Sequence, residues 1–375
     1  MRIVVAIDSF KGSLTSMQAG QAAKEAALKV NENVEVIISP LADGGEGTVD
    51  ALNAGLGGNK RTVLVTGPLG DPVKAEYSIL PNKTAVIEMA AAAGLPLVPQ
   101  ALRNPMNTTS YGVGELIKDA IDQGCRHFIV GIGGSATNDG GAGMLSALGY
   151  RLLDAEGKNV PLGARGLKTL HTISDQNVLP ELKTCTFRIA CDVNNPLCGE
   201  RGCSAVYGPQ KGAAPTEIPQ MDGWLASFAA LTKQMLPNAN EEYPGAGAAG
   251  GLGFAFQAYL NGRLEPGVQI ILEETRLEAA IRDADLVVTG EGRLDSQTVM
   301  GKAPVGVAEL AKKYGKKVIA FSGCVGTGAE MCNEAGIDAY FPILRGVTTL
   351  EEALNPQNAY QNLTDTAYQV FRLLL

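Results

Sequence analysis

One pattern recurs along the chain: a short, uninterrupted apolar run is followed by glycine or a polar residue, and then by helical spacing. Such runs are typical of strands that are buried on both faces. They occur at residues 3–7, 128–130, 286–288 and 318–321, and residues 34–38 form a similar run that contains one charged residue, Glu35. Strands that alternate with helices predict parallel α/β sheets, whose ligands bind beyond the carboxyl ends of the strands.

A second pattern covers residues 61–65, 77–80 and 85–89, where the alternation is typical of antiparallel strands. The strand–helix rhythm returns near residue 285. We therefore predict an α/β protein of two α/β domains with a cleft between them. One is a parallel, doubly wound domain built from both chain ends, residues 1–60 and 285–375. The other is an inserted α/β domain with a mixed sheet, residues 61–284.

Helix boundaries are visible at several places. Thr15 and Gln18 have the spacing of a capping box, which predicts a helix over residues 17–30. Glycines at 55, 57 and 58 end the helix that follows Thr48. The spacing of residues 349–375 predicts one amphipathic helix.

Composition narrows the class of protein. The chain has 375 residues, a formal net charge of −8 and no dense basic run, which argues against a nucleic-acid partner. No apolar run is long enough to span a membrane. The seven cysteines show no C-x-x-C spacing, and the chain starts directly with an apolar strand, so we expect free thiols and a cytoplasmic location. The oligomeric state stays open, and a homo-oligomer is allowed.

Two loops near the N-terminus carry candidate chemistry. Asp8 is a candidate magnesium ligand, Ser9 a candidate substrate contact, and Lys11 a cation for a carboxylate or phosphate. The alternative is a helix-capping loop with a surface lysine. In the second loop, Asp43 is a candidate substrate contact and Glu46 a candidate metal ligand, beside glycine amides at a helix start. The alternative there is a tight turn.

The richest motif is the glycine loop at residues 131–143, which follows a strand and opens a helix. We expect Gly133, Gly134, Ser135 and Thr137 to cradle the phosphates of a nucleotide, because consecutive amides can form an anion nest. The motif is not a Walker A sequence. The alternative is a packed strand–helix crossover that needs small residues.

The next motif follows the apolar residues before Cys191. Asp192 is a candidate general base or metal ligand, and Asn194 a candidate substrate contact. An Asx turn before Pro196 is the alternative. Further on, the loop at residues 208–212 supplies one cation, Lys211, or else is an exposed turn.

Two further motifs lie on either side of the predicted domain boundary at residue 285, and they indicate function to different degrees. Residues 245–250 match the dinucleotide string G-x-G-x-x-G, but no buried strand precedes them, so we favour a loop that opens a helix. Residues 289–298 contain Arg293, whose fork suits a carboxylate or phosphate, and Asp295, a partner for Arg293 or a metal ligand. A purely structural ion pair is the alternative.

These motifs together resemble the bacterial glycerate kinase family, and they follow that family's order from the first strand to beyond residue 290. The matching stretches are DSFKGSL at 8–14, ADGGEGT at 42–48, GIGGSATNDGGAG at 131–143, DVNNPLCGERG at 192–202, GPQKGA at 208–213, PGAGAAGGLG at 244–253 and TGEGRLDSQT at 289–298.

The resemblance implies phosphorylation of D-glycerate by ATP with Mg²⁺, giving 2-phosphoglycerate. We hypothesise that Asp192 orients or deprotonates the acceptor hydroxyl, while Lys11 and Arg293 bind the carboxylate or the moving phosphoryl group. Spacing alone leaves transfer to the 3-hydroxyl open. The dinucleotide string leaves an NAD-dependent hydroxy-acid dehydrogenase as a weaker alternative, and a non-catalytic anion-binding protein is a third.

Overall fold

A computed structural model of the chain describes residues 1–42 and 47–375. The strands are Arg2–Ile7 (β1), Glu35–Ile38 (β2), Asn59–Thr66 (β3), Pro72–Ile79 (β4), Thr84–Glu88 (β5), His127–Gly131 (β6), Arg151–Leu153 (β7), Thr172–Ser174 (β8), Thr186–Ala190 (β9), Arg263–Glu265 (β10), Leu286–Leu294 (β11), Lys317–Val325 (β12) and Ala339–Pro342 (β13). The α-helices are Ser16–Val30 (α1), Thr48–Leu56 (α2), Ala90–Ala93 (α3), Tyr111–Asp122 (α4), Ala142–Ala147 (α5), Cys203–Tyr207 (α6), Ile218–Met235 (α7), Ala248–Leu260 (α8), Gly267–Glu274 (α9), Leu277–Arg282 (α10), Ala303–Lys313 (α11), Met331–Glu334 (α12), Leu350–Leu354 (α13) and Pro356–Leu374 (α14).

The chain groups into two compact units. Unit 1 comprises Met1–Asp43, Asp50–Gly57 and Val268–Leu375, and unit 2 comprises Gly44–Val49 and Gly58–Gly267. These units are groups of residues in contact, and such packing does not test whether a segment folds by itself. The domain limits derived from the sequence therefore stay a prediction.

Unit 1 contains a five-stranded sheet in the order β13-β12-β11-β1-β2, in which every neighbouring pair is parallel. Ile3 on β1 lies beside Leu286 on β11, so the start of the chain pairs with its last quarter. This arrangement confirms the predicted parallel sheet built from both chain ends. It also places the carboxyl ends of β1, β11 and β12 side by side.

Helices cover both faces of this sheet. Alternate residues of β1, namely Ile3, Val5 and Ile7, join the apolar cluster that contains α1 and α14. Because side chains alternate across a strand, Val4 and Ala6 point to the other face. Helix α11 contacts β1, β11 and β12 without belonging to that cluster, so it packs on this other face. The unit is therefore doubly wound, as the sequence predicted.

Unit 2 contains a six-stranded mixed sheet in the order β10-β9-β6-β5-β4-β3. The pairs β3–β4 and β4–β5 are antiparallel, whereas β5, β6, β9 and β10 pair in parallel. The antiparallel part is the one that the alternating residues predicted. Phe128 on β6 stacks on Phe187 on β9, with ring centroids 4.7 Å apart, in the apolar core of the unit.

The ends of the helices show what local sequence decides. Both halves of the predicted capping box at Thr15 and Gln18 are present. The prediction of one helix over residues 349–375 is wrong, since α13 ends before Asn355 and α14 begins at Pro356. Proline lacks the N–H that would continue a helix, but it fits the first helical position.

Within residues 1–42 and 47–375, no helix has the length and apolarity needed to cross a bilayer.

Candidate functional site

In unit 1, two predicted motifs lie together at the carboxyl ends of the strands. Asp8 directly follows β1 and is 5% exposed, and its Oδ1 accepts a 2.6 Å hydrogen bond from the backbone N–H of Ser9. A Cβ built on Gly292 would lie 3.4 Å from the backbone nitrogen of Lys11. The loop that contains Asp8 and Lys11 therefore packs closely against Gly292, near the carboxyl end of β11.

The carboxylate of Glu291, which the sequence reasoning missed, is also part of this region. It is 7% exposed and accepts a 2.6 Å hydrogen bond from Thr298 Oγ1, while Lys302 Nζ lies 3.3 Å away. Burial raises the pKa of Glu291, and the hydrogen bond and the lysine oppose that rise. The sequence signal that could have identified Glu291 is a charged residue between two glycines at the end of an apolar strand.

Arg293 and Asp295 form the ion pair that was one of the alternatives. Arg293 Nε lies 3.1 Å from Asp295 Oδ2, and the other carboxylate oxygen accepts a 2.9 Å bond from the N–H of Gln297. Both oxygens of Asp295 thus have protein donors, and the Arg293 side chain is 65% exposed. A metal-binding role for Asp295 stays a prediction.

Two of the predicted site residues, the candidate substrate contact Asp43 and the candidate metal ligand Glu46, lie outside the described residues. In the part of the chain that the structure describes, no group of three or more His, Cys, Asp or Glu side chains is placed to hold a metal ion. Magnesium in proteins is often held by one or two carboxylates together with substrate phosphates. The buried carboxylate of Asp8 fits that mode of binding.

In unit 2, the glycine loop after β6 is held at several points, while three of its backbone amides stay open. The N–H of Leu95 donates to the carbonyl of Gly134 at 2.8 Å, and the N–H of Ala136 donates to Ala93 at 2.9 Å. Across the described residues, no hydrogen bond is donated by the backbone N–H of Gly133, of Ser135, or of the residue between them. Gly133 and Gly134 are exposed, and Gly134 has φ +71°. The loop therefore presents bare amide donors, as an anion cradle requires.

Asp139 anchors this loop and was also missed. Its Oδ2 accepts from the N–H of Ser110 at 2.8 Å and from Ser110 Oγ at 2.9 Å, and its Oδ1 accepts from Gly141 at 3.1 Å. Asp139 is fully buried, which raises its pKa, and these hydrogen bonds oppose the rise. Its role is to hold the loop against the start of α4, and no signal in its neighbours distinguished this from ligand binding.

The dinucleotide-like string proves to be a packing element. Residues 241–247 form turns, not the buried strand that a dinucleotide site needs. A Cβ on Gly250, which has φ +67°, would lie 2.0 Å from the carbonyl oxygen of Thr137. The N–H of Gly247 donates to the carbonyl of Asn195 at 3.0 Å. The string thereby joins the glycine loop to the segment that carries Asp192.

Asp192 is exposed and lies at the start of a helix. Its Oδ1 accepts a 3.0 Å hydrogen bond from the N–H of Gly267, the first residue of α9. Asn194 is exposed two residues further on. The structure thus gives Asp192 a capping contact, and its assignment as the general base stays a prediction.

Lys211 lies at the centre of the unit 2 site, although it was not among the predicted site residues. It is 2% exposed, and its Nζ donates 2.7 Å hydrogen bonds to Ser135 Oγ and to the carbonyl of Thr137. Burial lowers the pKa of Lys211 to about 8. The alternative of an exposed turn is therefore wrong. Gly212 follows with φ +93°, and a Cβ there would lie 2.2 Å from the carbonyl oxygen of Arg103.

The predicted residues thus fall into two sets. Unit 1 brings together the motifs of Asp8, Lys11 and Arg293. Unit 2 brings Ser135 and Thr137 together around Lys211, and residues 244–251 connect them to the Asp192 segment. Each set offers cations or amide donors beside carboxylates, which suits the handling of phosphate groups.

Comparison with known proteins agrees with this chemistry. A model of the glycerate kinase family matches residues 3–375. The glycerate kinase of Halalkalibacterium halodurans is 48% identical over 353 residues, which cover 94% of this chain and 93% of that protein. The glycerate 2-kinase of Escherichia coli K12 is 46% identical over 364 residues, 97% of this chain and 95% of the relative.

A solved structure gives the same result. A crystal structure assigned to glycerate kinase 2 of Salmonella typhimurium LT2 matches with a TM-score of 0.92 and 46% identity, covering 100% of this chain and 98% of that one. The family model, the relatives and the solved structure all extend over nearly the whole chain. The chain therefore belongs to the glycerate kinase family.

Proposed function

We propose that this protein is a glycerate kinase that transfers the γ-phosphoryl group of ATP to the 2-hydroxyl of D-glycerate, giving 2-phosphoglycerate and ADP. Its nearly full-length similarity to the glycerate 2-kinase of Escherichia coli supports the reaction. The structural observation that carries the proposal is the glycine loop at 133–137, whose amides at Gly133–Ser135 donate to no described residue. Bare amides beside a buried lysine are the equipment of a site that binds phosphate.

The reaction makes modest demands on the protein. The bond between Pγ and the β,γ-bridging oxygen of ATP breaks, and a bond forms between Pγ and the acceptor oxygen of glycerate. The acceptor proton leaves to a base, and the leaving charge stays on ADP. Catalysis therefore depends mainly on positioning and on stabilising charge.

The acceptor side of the reaction is assigned to Asp192 and Asn194. As general base, Asp192 would orient the acceptor hydroxyl and take its proton. Its position after β9 supports this role, since the carboxyl ends of parallel strands are where α/β proteins bind ligands. Asn194 would contact the substrate through its amide.

The strand ends of unit 1 supply the remaining roles. Lys11 and Arg293 would bind the glycerate carboxylate or the transferred phosphoryl group, with Ser9 as a neighbouring contact. Asp8 is the candidate magnesium ligand that the geometry favours, because its carboxylate is buried at the end of β1. The metal would neutralise phosphate charge when bound. Asp43 and Glu46 keep their sequence-based assignments to substrate and metal.

The experiment is an ADP-release assay of the purified protein with ATP and Mg²⁺. We expect release that depends on D-glycerate and is far slower with L-glycerate or with no acid. Absence of D-glycerate-dependent ADP would overturn the proposal. Binding of D-glycerate without turnover would instead favour an anion-binding protein, and NADH binding without ADP formation would favour a dehydrogenase.

A further inference from the structure

The ammonium of Lys211 is buried, and its direct hydrogen-bond partners carry no charge. Its Nζ contacts Ser135 Oγ and the carbonyl of Thr137, both of them uncharged. Within the described part of the chain, no carboxylate oxygen lies within 4 Å of this nitrogen. Burying a charge is costly unless it is paired, so lysine is rarely fully buried without a partner. An ammonium in this position is therefore prepared for an anion that comes from outside the chain.

The buried carboxylate of Asp139 does not fill that role. Asp139 is close enough for its charge to act on Lys211, but its oxygens accept from Ser110, Gly141 and Gly143. The carboxylate is thus occupied in holding the loop. A structural lysine would be expected to pair directly with such a group.

Further unused donors lie beside the ammonium. Thr137 Oγ1 is buried and has no hydrogen-bond partner among residues 1–42 and 47–375. The backbone N–H groups of Gly133 and Ser135 donate to no described residue. Buried polar groups are usually hydrogen-bonded, so the unpaired Thr137 hydroxyl beside a buried cation and open amides indicates a missing partner.

We propose that Lys211 Nζ, Thr137 Oγ1 and the amides of residues 133–135 form the binding site for the terminal phosphates of ATP. This inference rests on the proposed function and adds a residue to it. A phosphate offers several oxygens in a tetrahedral arrangement, which suits donors that converge from different directions. A lysine binds such a group as a point charge, whereas a planar carboxylate is better matched by the fork of arginine.

The sequence explains why this lysine is held so firmly. Gly208 and Gly212 flank it, and a Cβ on either would lie within 2.3 Å of a backbone oxygen, those of Ser204 and Arg103. At Gly212, where φ is +93° and the Arg103 carbonyl approaches closely, glycine lets the chain turn directly after Lys211 and keep it buried. The lysine is therefore positioned before the ligand arrives, which is what preorganised charge stabilisation needs.

The test measures binding of inorganic tripolyphosphate to the wild type, to Lys211→Met and to Lys233→Met. Lys233 is the matched control, because it lies in the same unit but pairs with Glu241 at 2.7 Å near the surface. We expect tripolyphosphate to bind Lys211→Met about 10²-fold more weakly, as for loss of one preorganised charge. Lys233→Met should bind it like the wild type. D-glycerate should bind all three proteins equally.

Two results would overturn the inference: unchanged tripolyphosphate affinity in Lys211→Met, or a loss of D-glycerate affinity with tripolyphosphate binding retained. If the variant does not fold, the wild type supplies the answer through metal-free ATP. The phosphates of ATP are fully ionised above about pH 8. Deprotonation of Lys211 should then weaken ATP binding up to about tenfold per pH unit above that pH. A flat affinity from pH 7.5 to 9.5 would contradict the proposal.

These measurements are independent of turnover. A protein that binds tripolyphosphate through Lys211 but releases no ADP with D-glycerate would refute the proposed function and leave the site intact. If D-glycerate-dependent turnover is found and Lys211→Met has full activity, the proposed function stands and the phosphate site at Lys211 is refuted.

Discussion

Lys211 Nζ donates a 2.7 Å hydrogen bond to Ser135 Oγ, although the two residues stand 76 positions apart. Ser135 belongs to the glycine loop after β6, and Lys211 ends a short turn after α6. The bond places a cation beside backbone amides that donate to no residue of the described chain. A glycine loop alone could serve only for packing. The added cation makes this loop suited to binding phosphate.

The burial of Lys211 has a consequence for stability. In the unliganded protein its pKa falls to about 8 from 10.5, so between these values the unfolded chain binds the proton and the folded chain does not. Burial of the charged form destabilises the folded protein. The free energy of unfolding therefore decreases as pH falls from 10.5 to 8, and this cost is absent above pH 10.5. Relative to Lys211→Met, we expect the wild type to gain about 3 kcal/mol between pH 7 and pH 11. Urea denaturation of both proteins across this range measures the difference, and a constant difference would contradict the assigned burial.

The glycine at position 250 should be indispensable to the loop. Gly250→Ala would place Cβ 2.0 Å from the carbonyl oxygen of Thr137 at φ +67°. We expect a loss of roughly 3 kcal/mol of stability and weaker ATP binding, because the backbone of the loop must move. Gly223→Ala is the control, since a Cβ there meets nothing within 4 Å in helix α7. The control should gain about 0.5–1 kcal/mol in thermal denaturation. Equal stabilities of the two variants would show that residues 244–251 do not support the loop.

The charge of Asp192 can be separated from its capping contact. Asp192→Asn keeps an oxygen that accepts from the N–H of Gly267, so α9 should remain capped. We expect kcat/KM to fall by ~10²-fold or more, because the amide is not a base. Asp154→Asn, in a surface turn where the carboxylate accepts from Glu156 and Lys158, should leave turnover unchanged. Near-normal kinetics of Asp192→Asn would remove Asp192 from the mechanism.

The charge of Lys11, in unit 1, can be tested by the same kind of kinetic comparison. Lys11→Ala should lower kcat/KM for D-glycerate by ~10²-fold or more, as expected for the loss of a positioned charge. Lys29→Ala, in the last turn of α1, removes an exposed charge of the same unit and should be close to neutral. Steady-state kinetics with D-glycerate varied at saturating ATP give the comparison. If both variants turn over alike, Lys11 is only a surface residue of the capping loop.

The sequence predicted the architecture because the decisive signals are local. Uninterrupted apolar runs at residues 3–7 and 286–288 fit only strands buried on both faces, and they proved to be neighbours in one sheet. The break at Pro356 escaped notice because amphipathic spacing continues on both sides of it. The missing N–H of Pro356 therefore ends the first helix, although the amphipathic spacing continues past it.

The site was harder to predict because its key distances are non-local. The loop around Lys211 is rich in glycine, which is equally typical of an exposed turn. Its burial depends on Arg103 and Ser135, and neither is near it in sequence. Asp139 posed the same difficulty, since its partner Ser110 lies 29 positions away. Sequence motifs identified the segments that form the site, but not which side chain in each segment is buried.

The central claim is that ATP phosphorylates D-glycerate on its 2-hydroxyl. Phosphorus NMR of a mixture of the protein, ATP, Mg²⁺ and D-glycerate tests it most directly, because the two phosphoglycerates give separate signals. We expect 2-phosphoglycerate to appear at the same rate as ADP. A signal of 3-phosphoglycerate would contradict the assigned position, and no phosphoglycerate at all would contradict the account.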